Sequence, residues 1–176
     1  KKAFLLSCGT DHPSVKFAFD KKFRYSILTP YFENRIQKTD FSLGLKYITP
    51  DFKKLHDHIY SKIEGVISCD LDYTIPLRDN DKHLGLVPHA INTDEIKYQP
   101  IELQDKIVIF HGINRTNYYK KGNDIFESAL DIISAKYADN IKILTVENVP
   151  YQTYIKAFDD AHILLDQVFA HDQGYN

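Results

Sequence analysis

Hydrophobic and polar positions follow two different patterns along the chain. In the second half, unbroken apolar runs alternate with amphipathic stretches. "KIVIFHG" runs from Lys106 to Gly112, a helical period extends from near Asp124 to Tyr137, and "IKILTVE" spans Ile141 to Glu147; "YQTYIKAFDDA" and "HILLDQ" complete the series at Gln167. Continuous apolar strands separated by helices mark a parallel sheet covered on both faces. The pattern therefore predicts parallel strands at about 106–111, 141–146 and 162–167, joined by right-handed crossovers through helices at about 123–137 and 151–160.

The first half is less regular. "AFLLSC" from Ala3 to Cys8 reads as a buried strand that runs into the loop Gly9-Thr10-Asp11. "FAFDKKFRYSILTPYF" from Phe17 to Phe32 is aromatic and basic without a helical period, and short strands are expected there. "DFKKLHDHIYSKI" has Phe52, Leu55, Ile59 and Ile63 on one face, with Asp51 placed to cap its start. Gly65 then leads into "VISCD", a strand ending at Asp70, and "HLGLVPHAI" is an edge strand or strand end because of Pro88. The polar stretch from Asn92 to Gln104 reads as a linker or crossing segment. Residues 1–98 carry 15 basic and 13 acidic side chains and residues 99–176 carry 7 and 11, a shift that supports dividing the chain into 1–98 and 99–176. The expected class is α/β, with two Rossmann-like parallel-sheet regions.

Composition narrows the function. With 22 basic against 24 acidic side chains and a net charge of -2, a nucleic-acid footprint spread over the surface is not expected, and any anion site must be local. The two cysteines, Cys8 and Cys69, have neither disulfide-framework nor metal-ligand spacing, which suits a reducing, cytoplasmic setting. No apolar run approaches the ~18 residues of a membrane span. His56 and His58 do not share a helix face, and the acidic run from Asp70 to Asp81 lacks calcium-loop spacing, so no metal site is expected. The triplet Asp70-Leu71-Asp72 is the one local pattern that could hold a metal against a donor diphosphate, and it is set aside because that reading leaves Arg115 and Lys121 without a role.

The local anion site is the segment "HGINRTNYYKKGND" between the strand ending at His111 and the following helix. Gly112 lets backbone approach a ligand beyond the strand end, and the helix start near Asn123 turns N–H groups to the same crevice. Arg115 offers a rigid fork for phosphate oxygens, and Lys121, next to Gly122, a mobile point charge. On this reading Arg115 matters more than Lys121. His111 is placed to donate to phosphate or sugar, and Asp166 to touch a sugar or nucleotide hydroxyl. The segment is neither a Walker A loop nor a G-x-G-x-x-G fingerprint. His12 and Asp11 would sit at the mouth of an acceptor site.

The run "HGINR…YYKKG", the helix "DIFESALDIISAKY", the strand "IKILTVE", "YIKAFDDAHILLDQ" and the terminal "GYN" resemble the nucleotide-binding domain of retaining GT-B glycosyltransferases. The likeness covers residues 105–176 well. It is weaker for the first hundred, where "KKAFLLSCGTDH" and "FKKLHDHIYSKIEGVISCD" look like parts of the acceptor domain. The resemblance implies that Arg115 and Lys121 hold the donor diphosphate, with Gly122 as the motif glycine. It implies a nucleoside-diphosphate sugar as donor, a saccharide or lipid-linked acceptor, no metal and no further cofactor, in surface polysaccharide or lipopolysaccharide synthesis at the inner membrane face. The family's acidic donor-binding pair would lie beyond Asn176 and its N-terminal glycine-rich loop before Lys1. Both sheet regions would then be incomplete, and the 176 residues inactive by themselves. The competing reading is a non-catalytic α/β anion-binding or interaction module.

Overall fold

The structure is a computed structural model and describes residues 1–94, 98, 100–102 and 105–171; of Thr39 and Asp40 only the backbone is described. Part of the linker between Asn92 and Gln104, and the Gly-Tyr-Asn at the C-terminus, lie outside these residues. The chain forms two compact units, the first Lys1–Asn92 joined by Ala170 and His171, the second from Thr93 to Phe169. Each contains a three-stranded, wholly parallel sheet.

In the first unit the strands are β1 (Phe4–Ser7), β2 (Gly65–Ser68) and β3 (His83–Leu86), in the order β1-β2-β3. Between β1 and β2 run α1 (His12–Phe19), α2 (Thr29–Phe32), α3 (Ser42–Leu45) and α4 (Pro50–Lys62); α5 (Leu71–Thr74) lies between β2 and β3. The aromatic stretch expected as strands is instead the end of α1, a loop and α2. The signal was local: Asp11 accepts from the Ser14 N–H at 2.9 Å while Ser14 Oγ receives the Asp11 N–H, with Pro13 in the first turn, a reciprocal cap that starts a helix. Val15 and Ala18 then pack with Leu28, Phe41 and Leu45. Asp11 and His12 serve this architecture. Ser7 Oγ donates to Asp11 at 2.6 Å, and His12 Nδ1 donates to the Tyr47 carbonyl at 2.7 Å.

Successive neighbours joined by crossovers of one hand place their helices on a single sheet face. Accordingly Leu5 and Val66 pack with Ile59, Tyr60, Ile63 and Leu77, while Phe4, Leu6, Leu84 and Leu86 are exposed. The first strand, expected to be buried, is therefore covered on one side only. Two details of α4 also differ from expectation: Thr49 rather than Asp51 is its N-cap, and Leu55 faces out. The covered face runs through His56, Ile59 and Ile63 instead.

His56 provides a pH test. Its ring lies 4.9 Å from His12 and 4.0 Å from Tyr60. Burial first, then the charge of His12 and more weakly Lys53, lower its pKa below the ordinary 6.5, against the opposing pull of Asp57 and Asp11. Above 6.5 the ring is neutral in folded and unfolded chains alike. As pH falls through that value the unfolded chain takes up the proton first, so stability declines toward acid. Thermal melts between about pH 5 and 7.5 should show a shallower acid loss for His56→Gln than for the parent; equal slopes would remove His56 from the account.

In the second unit, β4 (Ile107–Ile113) is central, flanked by β5 (Ile141–Glu147) and β6 (Ile163–Leu165) in the order β5-β4-β6. The helices are α6 (Tyr118–Lys121), α7 (Asn123–Tyr137) and α8 (Tyr151–Asp159). The chain leaves β4 to one side and returns to the other, so crossovers of one hand set α7 and α8 on opposite faces. Side chains on β4 show this. Phe110 makes edge contacts with Tyr154 and Phe158 of α8, and the next residue, His111, meets Phe126 of α7. Among the described residues of this unit β4 alone is covered on both faces, which explains its nearly unbroken burial; β5 and β6 flank it with half-exposed residues.

Candidate functional site

Strand β4 does not stop at His111. It continues through Gly112 and Ile113, paired with Val146 and Glu147 of β5, because Gly112 fits the ladder while making room above it. A Cβ on Gly112 would come within 2.8 Å of the Tyr154 ring. The glycine is therefore accounted for by the close approach of an aromatic side chain.

Beyond the strand ends, Asn114 accepts from the Thr116 N–H at 3.0 Å and caps a turn of 3-10 helix over Arg115–Asn117. This turn runs into α6. Gly122, at φ 76° and ψ 32°, ends α6 in the left-handed conformation and starts α7. The sharp reversal delivers Lys121 to the carboxyl end of the sheet. There a cavity of about 220 Å³ is lined by Gly112, Asn114, Lys121, Val146, Asn148 and Tyr154, among others.

The strand order gives this place its meaning. Ligand crevices in open parallel sheets form at the carboxyl ends of strands where outgoing connections diverge. Here the connections leaving β4 and β5 pass to opposite faces of the sheet, the cavity opens at the ends of these two strands, and Lys121 Nζ, which lines it, bridges to Asp166, just past β6, at 2.7 Å. The pair is largely buried, with side chains 21% and 10% exposed. The Tyr154 hydroxyl is buried without a hydrogen-bond partner among the described residues. Burial, and next the Asp166 charge, raise its pKa, so it remains a neutral donor beside the cavity.

Other expected residues are placed differently. Arg115 does not line the cavity. Its guanidinium donates twice to Glu147, both bonds at 2.6 Å, and stacks on Tyr118, 4.7 Å from the ring centre. The bonded guanidinium in turn holds the Glu147 carboxyl below its usual range. His111 is fully buried on the α7 face, with Nε2 2.8 Å from Asn123 Oδ1, and so turns away from the crevice. Asp124 occupies the first turn of α7 and already complements its dipole. Thus Gly112, Lys121 and Asp166 come together, Arg115 stands at the rim, and His111 belongs to the packing.

Sequence reasoning missed Glu147, Asn148 and Tyr154. Glu147 had a partial signal as the acidic residue that closes the apolar run "IKILTVE", although its partner is set by the docking of β5 on β4. Tyr154 had none beyond its position on a helix.

Comparison of the chain with known protein families, characterised proteins and solved structures finds no match. Among the described residues no helix is long and apolar enough to cross a membrane.

Proposed function

We propose that the second unit binds the diphosphate of a nucleotide sugar in the crevice at Lys121, and that the whole protein is a retaining GT-B glycosyltransferase acting on a saccharide or lipid-linked acceptor in surface polysaccharide synthesis. The observation that carries this reading is a lysine presented at the carboxyl end of a doubly wound parallel sheet, where anionic cofactors and donors bind. The resemblance of "HGINR…YYKKG" to the family's donor loop supplies the substrate class.

The geometry suggests how binding works. Asp166 and Glu147 hold the two cations in position while no anion is present. A diphosphate carries more charge and more acceptor oxygens than one carboxylate, so it can take over Lys121 and draw on Arg115 from the rim. Gly112 and Ile113 form the floor, and the Tyr154 hydroxyl is a donor in reserve. When the bond from sugar to diphosphate breaks, negative charge grows on the departing oxygens; fixed cations stabilise that charge more in the transition state than in the ground state. This chain's own residues then neutralise the leaving group, and no metal is needed for it.

The rival reading, a non-catalytic interaction module, makes the opposite prediction about small molecules. Calorimetry of the chain in EDTA with UDP, GDP, ADP and CDP should show saturable binding of at least one, weakened about tenfold or more by Lys121→Ala, as expected for loss of a charge-assisted bond in a sheltered site. Silence toward all four nucleotides from folded protein would favour the module.

A further inference from the structure

In the first unit a second group of side chains converges, unrelated to the anion crevice. Cys69 Sγ, an Asp70 carboxylate oxygen and a His89 ring nitrogen all lie within 4.8 Å of one another. Cys69 and Asp70 are neighbours in sequence, and His89, 19 residues beyond Asp70, is brought to them by the pairing of β2 with β3. Cys69 continues β2, its N–H donating to the Ser7 carbonyl at 3.1 Å, while the chain carrying His89 leaves β3 after the Val87 N–H has donated to the Ser68 carbonyl at 2.8 Å. Both sides of the cluster are thus anchored by backbone bonds that extend the parallel ladder. Asp70 is fixed as well. Its Oδ1 caps α5 by accepting the Tyr73 N–H at 3.2 Å, and its Oδ2 accepts from the Cys69 thiol at 4.0 Å, a proton that metal binding would displace.

We propose that Cys69, Asp70 and His89 form a binding site for one borderline divalent cation of the zinc class. The donor set decides the class: calcium and magnesium take oxygen ligands, whereas thiolate with imidazole and carboxylate suits zinc and its transition-metal neighbours. Three protein ligands leave a fourth tetrahedral position to water or a small ligand. Zinc bonds of about 2.0–2.3 Å put neighbouring donors about 3.3–3.8 Å apart. The group therefore needs to close by about 1.0–1.5 Å at most, most of which the exposed His89 can provide by side-chain rotation. The cap on α5 orients the Asp70 carboxylate as bonds behind a ligand do elsewhere. A cation also offsets the charge that a buried thiolate and a carboxylate 4.0 Å apart would otherwise oppose. The site lies at the carboxyl ends of β2 and β3, the edge of a parallel sheet at which ligands gather.

The experiment strips the whole chain with chelator, then titrates Zn²⁺ by calorimetry and Co²⁺ by absorbance. The expected result is one bound equivalent of each, and for cobalt a near-ultraviolet thiolate charge-transfer band with the strong visible bands of a tetrahedral ion. Cys8→Ser keeps the band and Cys69→Ser abolishes it. His89→Ala, at an exposed position that leaves the fold intact by circular dichroism, lowers zinc affinity at least about tenfold; this variant decides the matter if Cys69→Ser does not fold. No stoichiometric binding, a cobalt spectrum without the thiolate band, a band that survives Cys69→Ser, or zinc affinity unmoved in His89→Ala would overturn the site.

Discussion

Gly122→Ala destabilises the second unit by roughly 2–5 kcal/mol, summing a left-handed backbone penalty and an overpacking penalty, and with it weakens the proposed diphosphate binding. Gly122 sits at φ 76°, where a side chain costs roughly 1–2 kcal/mol. Space is short as well: a Cβ would lie 2.8 Å from both Cβ and Cγ2 of Val168 and 3.3 Å from the Phe169 ring. Val168 has little room to withdraw, because its N–H donates to the Lys121 carbonyl at 2.8 Å. Forcing it back breaks the bond that ties the lysine turn to the segment after β6. Urea denaturation measures the loss. Gly122→Asn separates the two causes, since asparagine tolerates the left-handed region yet still carries the Cβ; it should recover up to roughly 1–2 kcal/mol of backbone penalty relative to alanine and keep the overpacking loss. A loss under about 0.5 kcal/mol for Gly122→Ala, the range of ordinary surface changes, would mean that the turn is not a fixed scaffold for Lys121.

How much of this was written in the sequence depends on how local each determinant is. The β4–α7–β5–α8–β6 series was legible because burial on both faces makes β4 an unbroken apolar run and α7 keeps Phe126, Leu130 and Ile133 on one side. The position of Lys121 at the sheet end followed from its place in the segment between the strand ending near His111 and the next helix. The α1 cap at Asp11, Pro13 and Ser14 was equally local but was masked by the aromatic run behind it, whose side chains fill a helical core. Gly112 shows the limit of reading a glycine by type. Its place at the strand end suggested an open approach to an anion, whereas the empty Cβ position is filled by Tyr154, 42 residues away in the chain, as the two numbers show. Ion-pair partners were less legible still. Glu147 and Asp166 meet Arg115 and Lys121 only after β5 and β6 have docked on opposite sides of β4, and Cys69 meets His89 only through the pairing of β2 with β3. Such contacts depend on register, which the apolar pattern does not encode for charged positions beyond the strand ends.

These partners change the ranking of the two cations within the proposed function. By side-chain type Arg115 ranked above Lys121; by geometry Lys121 leads, because it lines the cavity and is 21% exposed while Arg115 is 49% exposed and bound to Glu147. Under the proposed function, Lys121→Ala should lower kcat/KM for the nucleotide sugar by about 10²- to 10³-fold, the range for losing one preorganised group that stabilises developing charge. Part of that loss is repulsion, since the substitution leaves the largely buried Asp166 carboxylate facing the incoming phosphates. Adding Asp166→Asn to Lys121→Ala should therefore recover roughly tenfold, as expected when coupled residues act non-additively. Arg115→Ala should cost about tenfold, because a rim charge in water acts through a higher effective dielectric. Steady-state kinetics with the donor varied, on variants shown to be folded, gives all three values. A Lys121→Ala enzyme within threefold of the parent would detach the crevice from the chemistry, and an Arg115→Ala enzyme more impaired than Lys121→Ala would mean that the fork leaves Glu147 and enters the site when donor binds.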